Sequence, residues 1–140
     1  MQFSIDLSEK FEAEKSTVSW VEEGIVRVHF KSKSLIFPSD QLEFIELQKK
    51  LTRGKPHAVL FTSGNSVNYS LEARENAVTL ESSTNSIANA LVVRNIFVMT
   101  LAGIYNSFYK LKKPYKVFSS EKDALVWLRK HLKKEHETGV

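Results

Sequence analysis

The chain has 140 residues, 42% of them hydrophobic and 26% charged, with a net charge of +4 and no cysteine. That make-up fits one globular domain and excludes a disordered chain, a collagen-like repeat and a disulfide scaffold. Without cysteine there is no thiolate metal site and no thiol nucleophile.

The start, MQFSIDLSEKF, has neither a basic segment nor an apolar core, so it does not read as a secretory signal. The longest nearly apolar stretch, Ile96 to Tyr105, falls short of the roughly 20 residues a membrane span needs. A cytoplasmic location without a membrane span is the expectation. Charge is uneven along the chain: residues 1–23 carry six acids against two lysines, and residues 110–137 carry nine Lys/Arg against four acids. A solvated basic helix face accounts for the second run, and nucleic acid is not the expected partner.

Residues 1–15 show no clear period and read as an arm, either a short strand or loose chain. Val18 and Trp20 alternate with Thr17 and Ser19, as in a half-buried strand. Gly24 supplies a turn, and Val26, Val28 and Phe30 share one face of the next strand, which predicts an antiparallel hairpin. Ser39 is the expected N-cap of a helix carrying Phe44, Ile45, Leu47 and Leu51 as its apolar stripe. Arg53-Gly54 ends it, and Pro56 prevents continuation.

Ala58-Val59-Leu60-Phe61 is a continuous apolar run, which predicts a strand covered on both faces. Ser70 is the expected cap of a second helix, from Leu71 to about Leu80. Ile87–Val93 predicts a strand, Asn95–Lys110 a third helix, and Tyr115–Phe118 a last strand. Ser120 with Asp123 fits a capping box, opening a fourth helix with Ala124, Leu125, Leu128 and Leu132 inward and Trp127 beside them. The order predicts an α/β fold: a mixed, mostly parallel sheet of about five strands with about four helices. The domain is expected over residues 16–135, between the arm and a short tail at 136–140.

Catalytic patterns are missing. His131 and His136 lie five apart, and none of His29, His57, His131 and His136 has the i, i+4 spacing of a helical zinc pair. No phosphate-binding glycine loop and no G-x-S-x-G turn occurs, and Thr62-Ser63-Gly64 after the apolar strand offers no carboxylate for magnesium. No enzyme activity, metal or cofactor is expected.

Two segments stand out. The loop and helix start from Ser63 to Glu75 carries Ser66, Ser70, Glu72 and Arg74, at the strand ends where α/β sheets meet ligands and partners. A helix start capped by Ser70 also suits a phosphate, so Ser70 is a candidate phospho-acceptor; the plainer reading is a cap alone. In the helix 95–110, Phe97, Leu101, Ile104 and Phe108 share the side expected to face the sheet. Ile96, Met99, Gly103 and Tyr105 lie elsewhere and form a candidate apolar interface or ligand surface. A second subunit, an apolar ligand, the N-terminal arm, or burial within the domain would each cover it.

Four stretches carry a family resemblance: Val18-Ser19-Trp20-Val21-Glu22-Glu23-Gly24-Ile25, Tyr69-Ser70-Leu71-Glu72-Ala73-Arg74, Lys112-Lys113-Pro114 and Val117 to Leu128. In this order they resemble STAS domains and the small bacterial proteins related to anti-sigma-factor antagonists, of STAS or CRAL-TRIO-like fold. They also resemble an uncharacterised set common in Bacteroidetes. In antagonists an Asp-Ser-Ser-Gly motif holds a phosphorylated serine at a helix start. Ser70 is its positional equivalent here, with Tyr69, Leu71 and Glu72 in place of the motif's other residues. The resemblance implies a non-enzymatic regulatory module that binds a protein partner or a second copy of itself. The alternative is a module sheltering a lipid-like or other apolar ligand beside the helix 95–110.

Overall fold

The computed structural model describes residues 5–94 and 111–138. Six strands form one sheet: β1 (Lys10–Glu12), β2 (Ser16–Glu22), β3 (Ile25–Phe30), β5 (His57–Ser63), β7 (Ser86–Val92) and β8 (Tyr115–Phe118), in the order β1-β2-β3-β5-β7-β8. The two-residue strands β4 (Leu35–Ile36) and β6 (Asn68–Tyr69) pair in parallel as a separate ribbon. Among the described residues there are three α-helices, α1 (Pro38–Thr52), α2 (Leu71–Leu80) and α3 (Glu121–Thr138), with a 3₁₀ turn at Glu81–Ser83.

β3, β5, β7 and β8 run parallel, and the β2–β3 hairpin makes β2 antiparallel to them. Gly24 turns this hairpin at φ 87°, a conformation that favours glycine. The mixed, mostly parallel sheet is the predicted one, with one strand more. Of the two readings of residues 1–15, Lys10–Glu12 take the strand form and edge the sheet against β2. α3 extends through Thr138, past the expected domain end at 135. The expected helix 95–110, with Ile96, Met99, Gly103 and Tyr105, lies outside the described residues.

β5 is covered on both faces: Ala58, Val59 and Leu60 are fully buried, and two cores meet at it. On one face Val18, Trp20, Val26, Val28, Phe30 and Val59 pack with Phe44, Ile45 and Leu51 of α1. On the other, Ile25, Ala58, Leu60, Ala88 and Ala90 pack with Ala124 and Leu128 of α3. The small residues on this face let the helix lie close.

α1 begins earlier than expected. Its N-cap is Phe37, not Ser39, and Pro38 occupies the first helical position, where its missing N–H costs nothing. The Asp40 carboxylate, at the third helical position, reaches back to accept from the Phe37 N–H at 2.8 Å. Arg53 closes the helix at φ 55°. α1 also buries polar groups that the apolar stripe did not predict. Gln41 Nε2 donates to the Ala73 carbonyl at 2.8 Å, and its Oε1 accepts from Asn76 at 3.1 Å, joining α1 to α2.

Gln48 meets the buried His57, with its side-chain amide nitrogen 2.7 Å from the ring Nε2. His57 Nδ1 lies 2.7 Å from the Lys55 carbonyl. This arrangement suits a neutral ring that donates from Nδ1 and accepts at Nε2. Burial pushes the His57 pKa below its ordinary value, the Lys55 carbonyl opposes that shift, and the Lys113 charge adds to it. The unfolded chain therefore binds a proton more readily than the folded one. The stabilisation is complete above about pH 6.5 and is lost as pH falls from there toward the lower folded value. His29 and His131 shift the same way, both mainly through burial. Urea denaturation from pH 7.5 to 5 should show wild-type stability falling, and His57→Asn should flatten the dependence. An unchanged slope in the variant would contradict this account.

Candidate functional site

The carboxyl ends of the parallel strands open onto a cleft of about 860 Å³ lined by Arg27, His29, Ser63, Arg74, Arg94 and Glu121, among others. The loop after β5, residues 63–69, lines it and is tied to the loop after β3. Gly64 donates its N–H to the Phe30 carbonyl at 2.8 Å, Asn65 N–H donates to Ser32 Oγ at 2.9 Å, and Lys33 N–H donates to the Asn65 carbonyl at 2.7 Å. A Cβ at Gly64 would collide with the Ser32 side chain and stand 2.8 Å from its backbone nitrogen. Glycine is needed there because the loops touch. Beyond this contact the β4–β6 ribbon runs straight into the starts of α1 and α2.

Of the four expected residues around α2, Ser66 and Arg74 line the cleft, as does the residue before Ser70, Tyr69. Ser66 is exposed in a left-handed turn, φ 59°, and Glu72 is exposed on the first turn of α2. Ser70 caps α2 as expected, its Oγ accepting from the Ala73 N–H at 3.0 Å. Ser120 Oγ likewise accepts from Asp123 N–H at 3.3 Å at the start of α3.

The cleft is basic. Arg27 pairs with Glu121, and Arg94 is exposed at the rim. His29 Nδ1 lies 2.8 Å from Thr62 Oγ1; burial, then the Arg27 charge, lower its pKa and favour the neutral ring. Arg74 Nε is buried and has no hydrogen-bond partner among the described residues, a state that typically costs about 1–3 kcal/mol. Trp20 Nε1 shares that condition in the α1 core. The sequence marks Arg74 as a candidate partner contact and carries no signal of its buried nitrogen.

A second space lies beneath, between α1, α2 and the sheet. It is an apolar cavity of about 140 Å³, and Tyr69, Arg74 and Leu91 line both it and the cleft. Its walls are aromatic: Phe30 stacks on Phe61 at 6.3 Å and meets Phe44 and Tyr69 edge-on at 5.6 Å, while Phe61 stacks on Tyr115 at 6.4 Å. Burial pushes the Tyr69 pKa up to about 12, with the Ser63 hydroxyl bonded to it easing the shift. Tyr115 is raised further, first by burial and then by the neighbouring Tyr69. Both phenols stay neutral donors at ordinary pH.

Among the described residues no group of three or more His, Asp or Glu side chains is arranged to hold a metal ion, and no helix is long and apolar enough to cross a membrane.

The fold is SpoIIAA-like. A solved structure from Shewanella loihica PV-4, described as an uncharacterised protein of the DUF3478 family with a SpoIIAA-like fold, is similar at a TM-score of 0.52 and 17% identity. The similarity covers 91% of this chain and 99% of that one. Residues 19–132 match the family "Domain of unknown function (DUF7793)", and the chain belongs to it. No curated protein matches significantly.

Losing a helix cap costs on the order of 1 kcal/mol. Ser70→Ala should lower the urea midpoint accordingly, and Ser70→Asp, which keeps a capping oxygen, should restore most of it. An unchanged midpoint in Ser70→Ala would remove the cap from the account.

Proposed function

We propose that this protein is a non-enzymatic regulatory module that binds another protein through the end of the molecule where α1 and α2 begin. The carrying observation is where its apolar surface is exposed. Leu35, Phe37, Leu42 and Leu71 are exposed, with Leu71 at 61%. Leu35 lies in β4, which pairs with β6, and the Ser70 N–H donates to the Ile36 carbonyl at 2.9 Å. That pairing sets the segments carrying Leu35, Phe37 and Leu71 side by side. Clustered exposed apolar groups rimmed by polar ones mark association surfaces, and the rim here includes Ser66, Ser70, Glu72 and Glu75.

The SpoIIAA-like fold supports a regulatory reading at the level of architecture. The absence of cysteine suits a reducing cytoplasmic setting. Ser70, half-buried with its oxygen engaged by the Ala73 N–H, is the residue whose phosphorylation would alter this surface. The alternative of an apolar ligand beside the helix 95–110 falls outside the described residues.

A photo-crosslinking amino acid at position 71, expressed in the native host, tests the reading. One reproducible protein adduct, to another protein or a second copy of this chain, is expected at 71. Phe37→Ser should abolish it, and the same group at Val126, exposed on α3, should not form it. No adduct above the Val126 control would overturn the proposal.

A further inference from the structure

The apolar cavity and the polar cleft share a basic residue, Arg74, that pairs with no carboxylate among the described residues. Phe44, Phe61, Leu91, Ala73 and Ala77 give the cavity its apolar wall. At about 140 Å³ it matches the roughly 150 Å³ spaces that admit one benzene-sized molecule. Arg74 stands at the boundary of the two spaces, with its Nε buried and without a hydrogen-bond partner among the described residues. Arg27 pairs with Glu121, and one carboxylate oxygen of Glu81, which lines the cavity, accepts from the Lys113 backbone N–H at 2.6 Å. Arg94 adds positive charge at the exposed rim.

We propose that this is a binding site for a small organic acid, with its apolar tail in the cavity and its carboxylate on the Arg74 guanidinium. A guanidinium presents paired donors in the geometry a carboxylate accepts. The neutral Tyr69 hydroxyl lies at the same boundary, hydrogen-bonded with Ser63 on the cleft side. The cavity limits the tail to about six carbons or one phenyl ring. Longer acids would have to displace Phe44 or Leu80 from the wall.

The apolar contacts proposed for the protein partner, Phe37 and Leu71, line neither space, and of the named rim residues Ser66 borders the cleft, so variants at Arg74 and Ala77 test the acid site separately from the partner surface. Calorimetric titration with hexanoate, acetate and hexanamide tests the assignment. Hexanoate should bind wild type with one-to-one saturation, and acetate and hexanamide more weakly. Arg74→Gln should weaken hexanoate by about tenfold or more while leaving hexanamide unchanged, and Arg74→Lys should recover part of the loss. Ala77→Leu, which fills the cavity from α2, should abolish hexanoate binding with Arg74 intact. Circular dichroism checks that each variant folds. Should Arg74→Gln not fold, the acid–amide comparison on wild type and the Ala77→Leu result decide. Absence of saturation by hexanoate, equal binding of acid and amide, or equal hexanoate affinity in a folded Arg74→Gln would each overturn the proposal.

Discussion

β5 must be covered from both sides, and the rest of the molecule is arranged around that requirement. Ala58, Val59 and Leu60 are fully buried. Burial of consecutive residues, whose side chains alternate between faces, demands a layer on each face. α1 supplies one and α3 the other. With β3, β7 and β8 parallel to β5 or to one another in turn, all their carboxyl ends fall at one end of the sheet. The cleft, the β4–β6 ribbon and the start of α2 are gathered at that end for this reason.

The two faces differ in what fills them. The α3 face uses Ala58, Ala88, Ala90 and Ala124, which allow close approach. The α1–α2 face uses Phe30, Phe44, Phe61 and Tyr69, large rings held edge-on or stacked. Rigid rings in such geometry leave space between them, and the 140 Å³ cavity lies there. The polar groups under α1 are mostly satisfied. Gln41 bonds Ala73, Gln48 meets His57, and Thr52 Oγ1 donates to the Gln48 carbonyl at 2.9 Å. Against that background the buried nitrogen of Arg74, unpartnered among the described residues, marks the junction of cavity and cleft.

Much of this was legible in the sequence because the signals were local. Ala58 to Phe61 announced a strand covered on both faces, Gly24 announced the hairpin turn, and Ser70 announced the start of α2. The three residues of β1 hold too little alternation to distinguish a strand from loose chain. β4 and β6, two residues each, exist only because distant loops meet at Gly64 and Ser32. The cap of α1 was misplaced because Ser39 is a better cap by residue type, whereas Pro38 and the Asp40 carboxylate set the start at Phe37. The cavity had no sequence signal, since it depends on the spacing between layers. Arg74 was noticed for its position in the chain, and its missing partner is a property of the packed structure.

The account places the working surface where α1 and α2 begin, away from the α3 face. Hydrogen exchange of the protein alone and bound to the partner captured at position 71 tests this most directly. The account predicts slowed exchange in residues 33–42 and 63–75, with α3 unchanged. Protection confined to residues 121–138, with the α1 and α2 starts unaffected, would contradict it.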